Sequence, residues 1–335
     1  MHKFLVIQTA SLGDVIIATA LLEKLHECYP AAALDLLVQK GAAPLFEGHP
    51  YLNRLYAWDK KHHKLANMRR LIRDIRREEY DVTVNVQRYA ATGWISLRSG
   101  AKHIIGFDKN PFARAFDLKV PHEISATRYV YEADRNQRLI EGLTDAQAAT
   151  PRLYPSESDY DAVYGYKEQA YITISPSSLW FTKQFPKEQW MALIRRISAP
   201  YRIYLLGSPK EQALGEEIRK ACPDKEVYNL CGSLSLLQSA ALMQDAAVNF
   251  TNDSAPLHLG AAVGAQVTAV FCSTVKEFGF APRGENIRIV ETQTELPCRP
   301  CGLHGHRKCP EKHFRCAWDI DLNQLLNTVP PWNKH

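Results

Sequence analysis

The side chains with the most chemical promise fall at two corners of this chain. Thr251–Ala262 reads T-N-D-S-A-P-L-H-L-G-A-A and brings Asp253, Ser254 and His258 together where the apolar run Ala246–Phe250 gives way to a helix start. Pro256 is tolerated in a first helical turn, and Asp253 and Ser254 are of the types that cap one. The open N–H groups of such a start, with the positive end of the helix dipole, face an anion. Capping alone is the plainer role for both side chains. The second corner follows the apolar strand Lys3–Gln8: a turn, Thr9–Asp14, leads into helical spacing from Val15 to Cys28. Asp14 therefore starts the first helix at the carboxyl edge of a strand, where open parallel sheets bind ligands. Gly13 belongs to no G-x-G-x-x-G spacing, which excludes a dinucleotide fingerprint. Ser177 and Ser178 follow the run Tyr171–Ile174, where they either hold phosphate oxygens or shape the turn at Pro176.

Four of the eight cysteines cluster as Cys298, Cys301, Cys309 and Cys316, with His304, His306 and His313 between them. The two-residue gap of Cys298-Arg299-Pro300-Cys301 is that of a metal knuckle, and the later spacings suit a four-thiolate structural site for zinc or iron. Reduced thiols without metal are the equal alternative, and a disulfide is disfavoured in a reducing compartment. Cys28, Cys222, Cys231 and Cys272 sit in apolar stretches and are expected in the core.

Holding these groups requires strands that end at the corners. After the first strand and helix, Leu34–Val38, Arg54–Trp58, Asp81–Val86 and His103–Phe107 read as strands, with helices within 60–77 and at 132–143. Gln87–Arg98 and Asp108–Arg114 read as loops whose aromatic and basic residues suit a phosphorylated saccharide. The stretch 150–158, with Pro151 and Pro155, lacks periodicity and reads as a linker. A second series follows: strands Tyr171–Ile174, Arg202–Leu206 and Val267–Phe271, helices near 211–222 and 236–244, and a closing helical pattern over 319–329 capped by Asp319 and Asp321. Alternation of this kind predicts an α/β fold with parallel sheets covered by helices. The expected domains are 1–155, 156–318 with the Cys-rich segment 298–316, and a closing helix in 319–335.

Composition bounds the function. A chain of 335 residues exceeds one hydrophobic core, and 46% hydrophobic with 23% charged residues excludes disorder. No apolar run reaches about 18 residues, which argues against a membrane helix. The amino terminus reads as a strand, not a secretory signal, and the expected location is cytoplasmic. Positive charge concentrates at 60–77, where Arg69, Arg73, Arg76 and Arg77 share a helical face above Leu65, Met68, Leu71, Ile72 and Ile75. That face is either ordinary solvated surface or a docking surface for anionic headgroups or a phosphorylated acceptor, with peripheral attachment to the membrane. No nucleic-acid motif accompanies it.

The pairing of T-A-S-L-G-D-V-I at 9–16 with T-N-D-S-A-P-L-H-L-G-A-A at 251–262 resembles the family 9 glycosyltransferases, which include the heptosyltransferases of lipopolysaccharide inner core. Ser175–Ser178, Lys183–Trp190, Leu205–Glu211 and Cys231–Leu236 are similar to further motifs of that family, in the same order. The resemblance implies the GT-B architecture, two Rossmann-like domains facing across a cleft, with the closing helix in 319–335 packing back on the first half. It implies inverting transfer of heptose from ADP-heptose to a phosphorylated, lipid-linked saccharide of the lipid A/Kdo type. Asp14 is then the base toward the acceptor, with Ser11 and Gly13 beside it. Lys183, Ser177 and Ser178 hold the diphosphate, Glu211 the ribose and Leu234 lies near the adenine. Asp253 binds donor-sugar hydroxyls, next to Ser254 and His258. The transfer itself calls for no metal. Where many relatives have glycine after D-S, this chain has Ala255-Pro256, which restricts the backbone there. Another nucleotide sugar, a protein acceptor, or a non-catalytic nucleotide-sugar-binding protein are the alternatives.

Overall fold

The computed structural model describes residues 2–331. It divides into two compact units, the first comprising residues up to 124 with 130–154, the second 125–129 with everything from 155 onward. The first unit carries six strands: β1 (Lys3–Ile7), β2 (Ala33–Gln39), β3 (Leu52–Trp58), β4 (Val82–Asn85), β5 (His103–Phe107) and β6 (Leu118–Val120). They pair in the order β3-β2-β1-β4-β5-β6, all parallel. The second unit repeats the plan with β7 (Tyr171–Ser175), β8 (Arg202–Leu205), β9 (Val227–Asn229), β10 (Asn249–Asn252), β11 (Val267–Phe271) and β12 (Ile287–Glu291). Its order is β12-β11-β10-β7-β8-β9, again parallel throughout.

Each chain order reverses once, between β1 and β4 in the first sheet and between β7 and β10 in the second. Loops leaving the two strands on either side of such a reversal turn to opposite faces and open a crevice at the carboxyl edge. The central strands are buried on both faces, as a parallel sheet covered by helices requires. In the second unit, fully buried Trp190 meets Phe185 edge to face at 4.9 Å. Its indole N–H also donates to the Pro176 carbonyl at 3.3 Å, so the helix Lys187–Arg196 props the turn that carries Ser177.

Three strands lie outside the sequence reading, and each is a sheet edge. β6 and β9 have three residues apiece, and Ile287–Glu291 buries only Ile287 and Val290, so none shows a run as long and apolar as β1. The expected loop 87–98 is instead largely a helix, Ala90–Arg98. A Cβ at Gly93 would meet Asn110 Oδ1 at 2.2 Å, so the mid-helix glycine is explained by close packing and not by a turn. The expected linker ends in a helix, Glu157–Val163, whose N-cap Ser156 accepts from Asp159 N–H. Leu65 is 63% exposed, so the basic helix Lys64–Arg76 rests on Leu71 and Ile75 alone among its fully buried side chains. Cys28 is exposed rather than core.

In the closing segment, Ile320 and Leu325 are buried in the core built by Ile172, Trp190, Leu193 and Ile194 of the second unit. Asp321 caps its helix, Leu322–Leu326, as read, whereas Asp319 accepts from Arg315. The last part of the expected closing helix, 332–335, lies outside the described residues. Among the described residues no helix is long and apolar enough to cross a membrane.

Candidate active site

In the second unit the polar groups gather at the β7/β10 reversal. Strand β10 delivers Asp253, whose backbone N–H continues the sheet by donating to the Val270 carbonyl at 3.1 Å. The Asp253 carboxylate is buried, and its Oδ2 receives both Lys183 Nζ at 2.5 Å and Thr274 Oγ1 at 2.6 Å. Lys183 comes from the short turn Phe181–Lys183 after β7, and Thr274 from the loop after β11. Ser254 occupies the N-cap of the helix Ala255–Ala262 with extended backbone and no side-chain capping bond, and Pro256 is in its first turn. No residue at 253–256 has a positive φ, so Ala255-Pro256 satisfies this corner without glycine.

His258 is buried on that helix. Burial pushes its pKa down to about 4; Asp253 opposes the shift and Lys183 adds to it. The imidazole is therefore neutral near pH 7, where it offers one donor and one acceptor and no charge. Asn252 ties the corner together: its Oδ1 accepts from Phe185 N–H at 2.8 Å, and its Nδ2 donates to the carbonyls of Ser175 and Ser177 at 3.3 and 3.2 Å. The Ser178 carbonyl accepts from Gln184 at 2.6 Å. Beneath these loops the hydroxyls of Ser175 and Thr251, opposite one another across β7 and β10, are buried without a partner among the described residues.

Glu211 and Leu234 stand at the neighbouring strand ends, after β8 and β9. Their loops are joined by Gly232 N–H donating to the Gly207 carbonyl at 2.8 Å. Glu211 turns back to accept from Ser208 N–H at 2.5 Å. A Cβ at Gly207 would lie 2.7 Å from Glu211 Oε2, so only glycine leaves the carboxylate that position. Leu234 is half-buried, just before the helix Leu236–Gln244 capped by Ser235. The structure thus gathers Ser177, Lys183, Asp253, Ser254 and His258 in one corner and sets Glu211 and Leu234 along the same sheet edge.

In the first unit Asp14 lies in the opening turn of the helix Leu12–Cys28, half-exposed. Its Oδ2 accepts from the Ser11 hydroxyl at 2.6 Å and from Ser11 N–H at 3.2 Å, while Gly13 is buried under the turn. The strand ends behind it are locked across the reversal: Thr9 Oγ1 donates to Gln87 Oε1 at 3.2 Å, and Gln87 Nε2 donates to Gln8. Lys60 donates to the Thr9 carbonyl at 2.6 Å and lies over the Trp58 ring. Lys60 is thus separate from the basic helix face, and burial lowers its pKa.

The Cys-rich segment packs against the Lys183 corner. Thr182 N–H donates to the His306 carbonyl at 3.1 Å, and Thr182 Oγ1 accepts from His306 N–H at 2.7 Å. Cys301 N–H donates to the Ser273 carbonyl at 2.8 Å. Arg299 bonds the carbonyls of Cys272 and Thr274 at 2.8 and 2.7 Å. Sequence reasoning missed Asn252, Thr182, Thr274 and Arg299 as site residues. Asn252 ends β10 beside the reversal and was findable by that rule; Thr274 follows β11, and the bonds of Thr182 to Ser273 and His306 and of Arg299 to the carbonyls at and after the end of β11 cross 91 or more and 25 or more residues and left no local signal.

Two doubly wound parallel units, each with its polar side chains at the strand reversal, define the GT-B class of glycosyltransferase folds. The model of glycosyltransferase family 9 (heptosyltransferase) matches residues 68–313, and the chain belongs to that family and is a heptosyltransferase enzyme. Asp14 lies outside the matched stretch. Lipopolysaccharide heptosyltransferase 3 of Escherichia coli K12 is 26% identical over 82% of this chain and 83% of its own length. Lipopolysaccharide heptosyltransferase 2 of Salmonella typhimurium is 25% identical over 98% of this chain and 97% of its own. The solved structure of E. coli ADP-heptose lipopolysaccharide heptosyltransferase II has a TM-score of 0.78 at 21% identity, covering 98% of this chain and 97% of that one.

Proposed function

We propose that this enzyme transfers heptose, with inversion, from ADP-heptose to a phosphorylated, lipid-linked saccharide of the lipopolysaccharide inner core, lipid A/Kdo in type. The observation that carries the reading is the buried Lys183–Asp253–Thr274 cluster at the strand reversal of the second unit. There the donor diphosphate meets Lys183 and the open N–H groups at Ser254, a positive field that needs no metal. Ser177 and Ser178 border the same loop. Asp253 accepts from donor-sugar hydroxyls, His258 supports it as a neutral partner, Glu211 takes the ribose and Leu234 lies against adenine.

On the first unit, Asp14 takes the proton of the acceptor hydroxyl as that oxygen attacks the anomeric carbon. Ser11 and Gly13 shape the turn that aims it. The transition state has oxocarbenium character, as in glycoside hydrolysis, but one carboxylate suffices because ADP departs without protonation. The enzyme works at the inner face of the cytoplasmic membrane, held there by the exposed arginines of Lys64–Arg76.

The test is ADP release from ADP-heptose with and without a lipid A/Kdo-type acceptor. Acceptor-dependent release, lost in Asp14→Ala while ADP-heptose still binds, is the expected result. Release with another nucleotide sugar or a protein acceptor would redirect the substrate assignment. Binding with no transfer to any acceptor would make this a binder, and full turnover in Asp14→Ala would remove the base.

A further inference from the structure

The helix Ala90–Arg98 lies on the first unit with one side in the core and the other open to solvent. Its inner side is fixed: Ile95 is fully buried in the core it shares with Leu71 and Ile75 of the basic helix, and Gly93 lies against Asn110. That packing leaves Trp94 outside, 40% exposed. Its ring is 5.9 Å from that of Phe112, and the Arg98 guanidinium, one helical turn on, stands 5.3 Å over it. Phe112 comes from the loop after β5, where its N–H donates to Asn110 Oδ1 at 3.0 Å. Asn110 Nδ2 in turn donates to the carbonyls of Gln87 and Tyr89 at 2.9 and 3.0 Å. One buried amide therefore ties both elements together, and the two rings are held in place before any partner meets them.

Single exposed apolar side chains are ordinary on a protein surface. The charge around this pair sets it apart. Within 88–119 the acids are Asp108 and Asp117, and both face backbone: Asp108 Oδ1 accepts from His122 N–H at 3.1 Å, and Asp117 Oδ2 from Ile104 N–H at 2.7 Å. Arg98, Lys109, Arg114 and Lys119 are exposed in the same stretch. The patch also adjoins the basic helix Lys64–Arg76. Both helices cover one face of the first sheet, and Arg76 packs so closely on Gly100, two residues past Arg98, that a Cβ there would stand 3.1 Å from Arg76 Cγ. A helix of 13 residues is about 20 Å long. Cations spread over that length and on to Arg98 cannot all meet one phosphorylated saccharide, whereas an anionic bilayer meets them together. Its headgroup level is also where an amphipathic aromatic ring settles.

We propose that Trp94 and Phe112 insert at the headgroup level of an anionic bilayer, with Arg98 and the arginines of Lys64–Arg76 on its phosphates. The first unit is then held by an aromatic anchor as well as by charge. This inference deepens the membrane reading given above and rests on it. The two contributions differ in kind: salt screens the arginines and leaves the apolar contact of the ring intact.

The test is co-sedimentation of the full chain with vesicles of phosphatidylglycerol and phosphatidylcholine at low and high salt. Trp94→Ala is expected to bind about tenfold more weakly at either salt concentration, because it loses apolar contact. Arg98→Gln should lose affinity mainly at low salt. Trp318→Phe, at another exposed tryptophan but on the second unit, should bind as wild type does. Lipids brominated close to the headgroup then locate the ring: they quench part of the wild-type tryptophan emission, and that part is absent in Trp94→Phe, which keeps most of the affinity. Thermal midpoints equal to that of wild type in both Trp94 variants assign the loss to binding. Wild type bound and Trp94→Ala bound equally well overturns the anchor while the membrane reading stands. No binding of wild type to these vesicles overturns both. A raised KM for delipidated acceptor in Trp94→Ala gives the ring to the saccharide and overturns the lipid contact.

Discussion

Lys183 Nζ stands 2.5 Å from Asp253 Oδ2, and the two side chains are only 16% and 6% exposed. They arrive from loops after different strands, β7 and β10, on the two sides of the strand reversal. A buried pair of this kind does little for net stability but is costly to break from one side, because the remaining charge is stranded. Lys183→Met leaves Asp253 with Thr274 and is expected to cost about 3–5 kcal/mol in urea unfolding. Adding Asp253→Asn should recover most of that loss, while donor affinity stays low in both variants. Simple additivity of the two substitutions would show that the pair is not coupled.

Asp14 bonds to Ser11 through the oxygen at 2.6 Å, which makes it a helix-start residue as well as the proposed base. The two roles separate by substitution. Asp14→Asn is expected to lower turnover by about 10²–10⁴-fold with ADP affinity unchanged. Ser11→Ala should instead cost about 1 kcal/mol of stability and little turnover. Steady-state kinetics beside thermal unfolding distinguishes them, and retained turnover in Asp14→Asn removes the base assignment.

Gly207 is where the lack of a side chain matters for the nucleotide. An added Cβ would lie 2.7 Å from Glu211 Oε2 and 3.0 Å from Cys231 Sγ, so Gly207→Ala must displace the carboxylate or the loop beneath it. ADP affinity is expected to fall by about tenfold, with a stability loss of about 1–3 kcal/mol. Gly165→Ala, which meets no atom within 4 Å, is the control and should change neither. Calorimetric titration with ADP reads the difference.

His49 packs among Phe46, Tyr51 and Tyr154 with both ring nitrogens buried and unpartnered among the described residues. Burial, with a smaller contribution from His26, lowers its pKa from 6.5 to about 4. Between those values the unfolded chain takes a proton that the folded chain refuses, so His49 drains stability as pH falls from 6.5 toward 4 and not above. His49→Phe removes that contribution, and its urea midpoint should fall less than that of wild type between pH 7.5 and 4.5. Parallel curves for the two proteins would contradict this.

The exposed arginines of the Lys64–Arg76 helix carry the membrane proposal. Each basic residue near an anionic surface contributes about 1 kcal/mol, so Arg69→Glu with Arg73→Glu should weaken binding to phosphatidylglycerol vesicles by about 30-fold or more. Turnover on a delipidated acceptor should not change. Equal co-sedimentation of wild type and variant would reduce the helix to solvated surface.

The sequence alone determined the parallel α/β plan and marked the corners where the chemistry is proposed. β1, β7 and β11 were legible as largely apolar runs, Asp14 as the acidic residue opening the first helix, and Asp253 and Ser254 as polar residues directly after a strand, since these signals are local. The edge strands β6, β9 and β12 were not, because a half-exposed strand of few residues needs no apolar pattern, and Ala90–Arg98 hid its helix behind a glycine whose reason is Asn110. Only the tertiary structure decided the partners. Nothing near Lys183 in the chain points to Asp253, 70 residues on; nothing in the cysteine knuckle points to Thr182; and the closing segment found its core on the second unit. The reason is physical: periodicity and capping act over a few residues, whereas a buried carboxylate takes its counter-charge and hydrogen bonds from whatever loop the sheet order brings beside it.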